Sequence, residues 1–330
     1  MTATTHPKPP DSALVDMTPL QAAGVPWTIR PRFDGMSVAT WLERERDLLA
    51  AAIQQYGAVL LRGFWACDAS SLELLLGAIG APAATYVNRS TPRRSVGAHV
   101  YTATEYPPAR SIPLHNEMSY TSRWPRYVAF LCMMPALSGG ETPIADCRGV
   151  YASMPPATLE AFESRGVCYV RVMGQGIDLP WQEVFQTEDP AEVEQFCWMN
   201  DMEHTWLPGR LLRTCERRPA TRQHPGTGEF VWFNQAHLFH RLAVGDGEAA
   251  ALEEALGMER LPRHARFGDG SEISASMLEQ VKTAFAQHTV TFRWRAGDIL
   301  LLDNILFAHG RNPFSGTRRV LAALGGMMVG

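Results

Sequence analysis

The segment IPLHNEMSY (112–120) sets His115 two residues ahead of Glu117 inside an otherwise apolar run. In a strand, positions i and i+2 share a face, so an imidazole and a carboxylate would stand side by side, able to hold a metal ion or move a proton. The pair alone is weak, because ten His and 34 acidic residues in 330 positions make about one such spacing expected by chance. A third group lies in GDILLLDNILFAHGRNPFSGTRRVLAAL, where His309 sits near the end of an expected strand. Two neutral imidazoles and one carboxylate on one face of an octahedral ion leave three adjacent positions open. That donor set suits non-haem Fe(II), which binds a chelating co-substrate and dioxygen together. Zinc is the competing metal, but its closed structural sites take four protein ligands, and neither motif contains cysteine.

A 2-oxo acid co-substrate with a remote carboxylate needs a partner for that carboxylate, and a planar guanidinium provides two parallel hydrogen bonds. Arg318 and Arg319 open the apolar run VLAAL; in a strand one of them points inward and the other to solvent. Thr142 in SGGETPIAD offers a second anchor, after two glycines that let the backbone crowd the site. Asp303 and Asn304 are expected to organise the turn before the His309 strand and to support the ligands from behind. His237 and His240, at i and i+3, lack a nearby third ligand and read as packing or a pocket edge. Asn234 and Gln235, adjacent amides after VWF, either satisfy their own surroundings or face a substrate.

The elements that must position these groups follow from hydrophobic spacing. From Ser37 to Tyr56 apolar residues recur at helical intervals, GAVLLRGF (57–64) reads as a buried strand, and SSLELLLGAIG reads as a second helix. From about residue 100 onward the texture changes to short strand-like runs, among them YVAFLCMM, VCYVRVM, EFVWFN, HTVTFRW and DILLLD. Helical stretches are expected near 189–200, 248–257 and 274–287. Many short strands cut by Pro and Gly turns imply a mainly β fold, a sandwich or barrel with flanking helices. Residues 1–25 read as a loosely ordered tail and 26–330 as one domain, with helical insertions between the two metal motifs. Forty-six per cent hydrophobic content is that of a globular protein with a sizeable core. A net charge of −4 without basic runs argues against nucleic acid, and the apolar runs are too short to span a bilayer. The N-terminus lacks the apolar core of a secretory signal, and six scattered cysteines without a C-x-x-C pair suggest neither a disulfide framework nor structural zinc, so a reducing cytoplasm is the expected location.

The order His115-x-Glu117, then GGET, then His309 followed by Arg-Arg resembles the taurine dioxygenase-like (TauD/TfdA) family of Fe(II)/2-oxoglutarate oxygenases. Stretches such as TEYPPARSIPLHNEMSY, LPWQEVFQTEDPAEVE and HPGTGEFVWFNQAHLFH sharpen the resemblance toward the branch that includes the syringomycin-pathway aspartyl hydroxylase. It implies a double-stranded β-helix (a jelly-roll, cupin-like core), Fe(II), 2-oxoglutarate and dioxygen as cofactors, and iron ligation by His115, Glu117 and His309. It further implies that Thr142 and Arg319 hold the 2-oxoglutarate carboxylate. Related halogenases replace the carboxylate ligand with a small residue; Glu117 is present here, so hydroxylation is expected over halogenation, with desaturation or epoxidation as the alternative. Some relatives place a substrate-gripping arginine two inward positions beyond the co-substrate arginine. Counting by twos from Arg319 gives Leu321 and Ala323, and a free acid docked there would be an unpaired desolvated charge. Either Arg110, Arg123 or Arg171 binds an acid instead, or the substrate has none. Some members of the branch act on aminoacyl thioesters of a peptidyl carrier protein, so the expected reaction is hydroxylation of an amino acid or a carrier-tethered aminoacyl unit in natural-product (antibiotic) biosynthesis. The rival classes are a zinc hydrolase and a non-catalytic small-molecule binding module of the same fold.

Overall fold

The computed structural model describes residues 11–21, 24–65, 67–85, 95–103, 106–174, 176 and 178–330. The first elements are β1 (Val15–Pro19), β2 (Trp27–Pro31), α1 (Val38–Tyr56), β3 (Ala58–Leu61), α2 (Ala69–Ala78) and β4 (Val100–Thr102). Around the first histidine lie β5 (Ile112–His115), β6 (Arg123–Met134), β7 (Ser138–Gly139), β8 (Ile144–Asp146), α3 (Cys147–Ala152) and α4 (Pro156–Arg165). The middle of the chain forms β9 (Val167–Met173), α5 (Trp181–Phe185), α6 (Pro190–Met199), β10 (Glu203–Leu207), β11 (Leu211–Arg218), β12 (Thr221–Gln223) and β13 (Phe230–Trp232). It continues through α7 (Ala236–Phe239), α8 (Asp246–Leu256), β14 (Arg263–Phe267), α9 (Ala275–Gln287) and β15 (Thr289–Val290). The last strands are β16 (Ile299–Asp303), β17 (Phe307–Arg311), β18 (Phe314–Ser315) and β19 (Arg319–Val329).

Two sheets face each other across the main core. The larger runs β1-β2-β3-β16-β6-β19-β4, and the smaller runs β15-β8-β17-β5. Together they form the cupin-like double-stranded β-helix. Strand alternation divides the side chains of the large sheet between two layers. Leu60, Val128, Phe130, Cys132, Leu300, Val320, Ala322 and Leu324 belong to the core between the sheets. Val59, Leu61, Ala129, Leu131, Leu301, Leu321 and Ala323 pack instead against Leu49, Ile53, Leu72 and Leu75 of α1 and α2. This is why YVAFLCMM and ILLL are apolar without alternation: both faces are covered. A further sheet, β10-β11-β9-β14, lies in the insertion between the metal motifs and carries its own small core with α5 and α6.

The helix caps agree with the chain's punctuation. The Ser37 side chain accepts from the Thr40 N–H at the start of α1, and Gly57 ends it in the left-handed region at φ 69°. A Cβ on Gly57 would lie 2.7 Å from Phe307 Cε2, so that approach also admits the strand carrying His309. The expected tail is ordered further toward the N-terminus than its composition suggests: β1 pairs with β2, and Val15 is 2% exposed. Residues 1–10 of that tail lie outside the described residues. Cys168 and Cys215 form a disulfide between β9 and β11, their Cα atoms 6.3 Å apart. Pairing of Val170 with Cys215 brings these cysteines together across 47 residues, a proximity that spacing alone does not reveal. Among the described residues no helix is long and apolar enough to cross a membrane.

A buried clasp joins the strand after α1 to the strand before His309. Arg62 donates to both oxygens of Asp298, at 2.9 and 2.6 Å, and Asp298 is 1% exposed. Arg62→Leu would leave that carboxylate as an uncompensated buried charge, which costs about 3–5 kcal/mol. The denaturant midpoint should fall accordingly; an unchanged midpoint would mean that the clasp carries no stability.

Candidate metal centre

The two histidines are set by the strand ladder. His115 ends β5 and lies directly opposite His309 of β17, with ring centroids 4.6 Å apart. The His115 Nδ1–H donates to the Pro113 carbonyl at 2.8 Å, which places the ring's lone pair on Nε2. Phe130 packs edge-on against His309 at 4.9 Å. Glu117 is not in the strand, as the i, i+2 reading supposes, but in the turn that follows it. Its Oε2 is nevertheless 3.8 Å from His309 Nε2, and the ligand atoms of all three residues lie within 4.8 Å of one another. Two imidazoles and a carboxylate at that separation fit one small divalent cation with part of its coordination sphere open.

Asn304 holds the turn in place. Its Oδ1 accepts from the Glu117 N–H at 2.7 Å, and its Nδ2 donates to the carbonyls of Glu117 and Pro125 at 3.0 and 2.9 Å. Asn116 Nδ2 donates back to the Asn304 carbonyl at 2.6 Å, while Gln235 Nε2 donates to the Asn116 carbonyl at 2.7 Å. Asp303 caps the turn between β16 and β17 by accepting from the Ile305 N–H at 3.0 Å, and buried His224 donates to its other oxygen at 3.0 Å. His237 donates to the Leu114 carbonyl at 2.9 Å; burial pushes its pKa down to about 4, with that hydrogen bond opposing the shift. The edge strand carrying His115 is thus backed by a neutral imidazole.

Beyond the three candidate ligands an inward arginine meets a glycine turn and a buried threonine, and it is Arg318 rather than the expected Arg319. Arg319 is exposed, whereas Arg318 turns inward and donates from Nε to the Gly140 carbonyl at 2.9 Å. Alternation runs unbroken from Arg318 through Val320, Ala322 and Leu324, so Arg318 shares the inner parity of β19 and Arg319 takes the outer one. Burial and then the neighbouring Arg311 pull the Arg318 pKa down to about 10, so it stays charged at neutral pH in surroundings that favour an anion beside it. Gly139 and Gly140 adopt φ 67° and 72°, and a Cβ on Gly140 would lie 3.0 Å from Arg318 Cδ. Two residues on, Thr142 is 3% exposed and its hydroxyl accepts from the Trp294 indole N–H at 3.1 Å. Sequence reading missed Trp294, since FRW carries no sign of a partner 152 residues away.

The candidate substrate residues separate. The Asn234 amide donates to the Ala220 carbonyl at 2.8 Å and accepts from the Ala236 N–H at 3.0 Å, so it serves the backbone. Gln235 supports the ligand turn, as above. Arg171 is 4% exposed and bound to Asp178 at 3.2 Å. Burial opposes ionisation of Asp178, but Arg171 and Arg263 outweigh it and hold the carboxyl at about 2. Arg110 is exposed, with Glu248 at 3.5 Å. Arg123 lines a cavity of about 230 Å³ beside Met118, the residue after Glu117. Elsewhere His240, His264 and Glu272 also place ligand atoms within 4.8 Å. There, however, both Nδ1 atoms accept backbone N–H groups, from Leu242 and Arg241, which leaves the protons on Nε2. Arg266 also engages Glu272 at 2.8 Å, so this group is a hydrogen-bonded cluster rather than a set of lone-pair donors.

Because Glu117 depends on Asn304, Asn304→Ala should weaken divalent metal binding about 10–100-fold, the usual effect of removing a ligand's support. Calorimetric titration with Mn(II) checks this. Unchanged affinity in the folded variant would mean that the turn holds Glu117 without the amide.

The sequence matches the taurine catabolism dioxygenase TauD, TfdA family over residues 16–324. The chain is 40% identical over 272 residues to the dapdiamide synthesis protein DdaC of Enterobacter agglomerans, covering 82% of this chain and 83% of that one. A clavaminate synthase-like protein of Arabidopsis thaliana is 31% identical over 294 residues, 86% of each chain. Among solved structures, PvcB, an Fe, alpha-ketoglutarate dependent oxygenase from an isonitrile synthetic pathway, superposes with a TM-score of 0.55 at 16% identity, covering 94% of this chain and 91% of that one. AAD-2 in complex with Mn(II) and N-oxalylglycine superposes with a TM-score of 0.57 at 13% identity, covering 96% and 98%. The chain belongs to the TauD/TfdA family and is an Fe(II)- and 2-oxoglutarate-dependent dioxygenase.

Proposed function

We propose that this oxygenase hydroxylates an unactivated C–H bond of an amino acid, or of an aminoacyl unit tethered to a peptidyl carrier protein, in natural-product biosynthesis. The observation that carries the reading is the inner face of β19. Val320, Ala322 and Leu324, not Leu321 and Ala323, continue the wall that begins at Arg318, and none carries a charge. A free acid group of a substrate would find no cation along that strand, and burying it unpaired is prohibitive. A thioester, which has no such charge, suits an apolar wall. The 40% identity to a protein named for dapdiamide synthesis supports placing the reaction in a biosynthetic pathway.

His115, Glu117 and His309 hold iron in this reading, and Arg318 with Thr142 binds the remote carboxylate of 2-oxoglutarate. Trp294 donates to the Thr142 oxygen, so the hydroxyl proton is directed toward an acceptor elsewhere. Bound iron, supplied with 2-oxoglutarate and dioxygen, provides an oxidant strong enough to cleave a C–H bond, with succinate and carbon dioxide as co-products. The protein's part is orientation and exclusion of water. Phe130 shields His309, and the sheet faces around it are apolar. Glu117 occupies the position that halogenases leave open, which favours oxygen transfer. Epoxidation or desaturation by the same oxidant is the second reading, and product analysis by mass separates them.

His115→Ala, Glu117→Ala or His309→Ala should abolish succinate formation without unfolding the protein; near wild-type turnover with added Fe(II) would refute the assignment. Arg318→Leu should raise the 2-oxoglutarate requirement steeply, through loss of a charge-assisted interaction of about 2–5 kcal/mol, while Arg319→Leu should change it little. The reverse pattern would assign the carboxylate to Arg319. Free amino acids and their carrier-loaded thioesters assayed in parallel decide the substrate's form. Efficient turnover of a free amino acid, with none of its thioester, would rule out the tethered version.

A further inference from the structure

A cavity opens one residue from Glu117. Met118 is held in the left-handed region at φ 58° and is 5% exposed, and it forms part of the wall of the space of about 230 Å³. A non-glycine residue kept at positive φ is strained, and such strain collects where a side chain must be aimed at a ligand. Met118 directly follows Glu117 in the same turn, so one wall of the cavity is continuous in the chain with a candidate metal ligand. Phe196, Met202 and Met327 give the cavity an apolar lining, and thioether side chains adapt to irregular aliphatic shapes. Its volume is below the ~300–1,000 Å³ of drug-sized sites and suits a small unit.

Two charged residues also line it, and they differ in kind. Arg123 is exposed at the head of β6, where solvent screens its attraction for an anion. Glu216 on β11 is 6% exposed. Arg218 donates to Glu216 Oε2 at 2.9 Å and to the Asn200 carbonyl at 2.9 Å, so the carboxylate is fixed relative to a second cavity-lining residue. An apolar pair of similar volume would fill the same space without the desolvation of two charges. Keeping a rigid carboxylate in the wall of a small apolar cavity makes sense where the occupant carries a cationic hydrogen-bond donor. An aminoacyl unit has one in its ammonium group, and it keeps that group when its carboxyl is converted to a thioester.

We propose that Glu216 receives the substrate's amino group, with Met118 and the neighbouring thioethers packing its carbon chain, so that the oxygenase selects an aminoacyl unit by its ammonium and not by a carboxylate. This rests on the aminoacyl reading above and specifies which residue enforces it. The test uses anaerobic enzyme loaded with Fe(II) and 2-oxoglutarate, whose visible charge-transfer band responds to a molecule seated beside the metal. The probes are N-acetylcysteamine thioesters of the protein amino acids, each paired with its des-amino acyl counterpart. At least one aminoacyl probe should perturb the band at a concentration tenfold or more below its des-amino partner. Glu216→Gln should erase most of that preference while 2-oxoglutarate affinity, read from the band before any probe is added, stays unchanged. Should the single variant misfold because Arg218 is left unpaired, Glu216→Gln with Arg218→Met removes both charges and must lose the preference as well. A preference that survives either variant overturns the assignment, as does equal binding of aminoacyl and des-amino probes or a silent band throughout. If no charge-transfer band forms before probe addition, the metal and co-substrate assignment fails instead.

Discussion

The candidate metal centre depends on one buried amide. Two of its three candidate ligands are set by ladder geometry, since His115 and His309 face each other across a pair of strands. Glu117 has no such support: it lies in a turn, where backbone groups lack ladder partners and must find others. The Asn304 side chain supplies them with three hydrogen bonds, to Glu117 N–H, Glu117 C=O and Pro125 C=O, at 0% exposure. An aliphatic side chain of the same size would leave those groups unpaired in the core, at about 1–3 kcal/mol each. The carboxylate's position therefore follows from hydrogen-bond satisfaction rather than from strand geometry.

The double-faced large sheet explains how so apolar a scaffold tolerates the site. With α1 and α2 covering one face, the other face is free to be shaped around the metal ligands. The same parity then separates roles along β19, where even-numbered positions 320, 322 and 324 face the centre and odd-numbered 321 and 323 face the helices. Charge is concentrated at one end, where burial and then the neighbouring Arg311 make the protonated form of Arg318 less favourable.

Much of this was legible in the residues. The helices at 38–56, 190–199 and 275–287 follow apolar spacing and side-chain caps, and His115, Glu117 and His309 could be grouped by donor type before any contact was known. What could not be read depended on registers and long-range contacts. Which parity of β19 faces inward decided that Arg318 and not Arg319 turned in, and the pairing of β9 with β11 joined Cys168 to Cys215. The β1–β2 hairpin ordered residues whose composition suggested a tail. Trp294 beside Thr142, and Glu216 facing the cavity by Met118, are separated from their counterparts by long stretches of chain. No local pattern encodes such meetings, because they are products of the fold.

The placement of β5 has a further consequence. It is a four-residue strand at the edge of its sheet, and one of its few ties to β17 is the pair of imidazoles standing opposite each other. An ion bound by both imidazoles would brace that edge, since binding to the folded form alone adds to stability by mass action. Metal loading and mechanical integrity of the edge are thus one equilibrium. Loss of that ion would leave not merely an idle site but a rim strand with one tie fewer, so the same ligands would serve the edge as well as the chemistry.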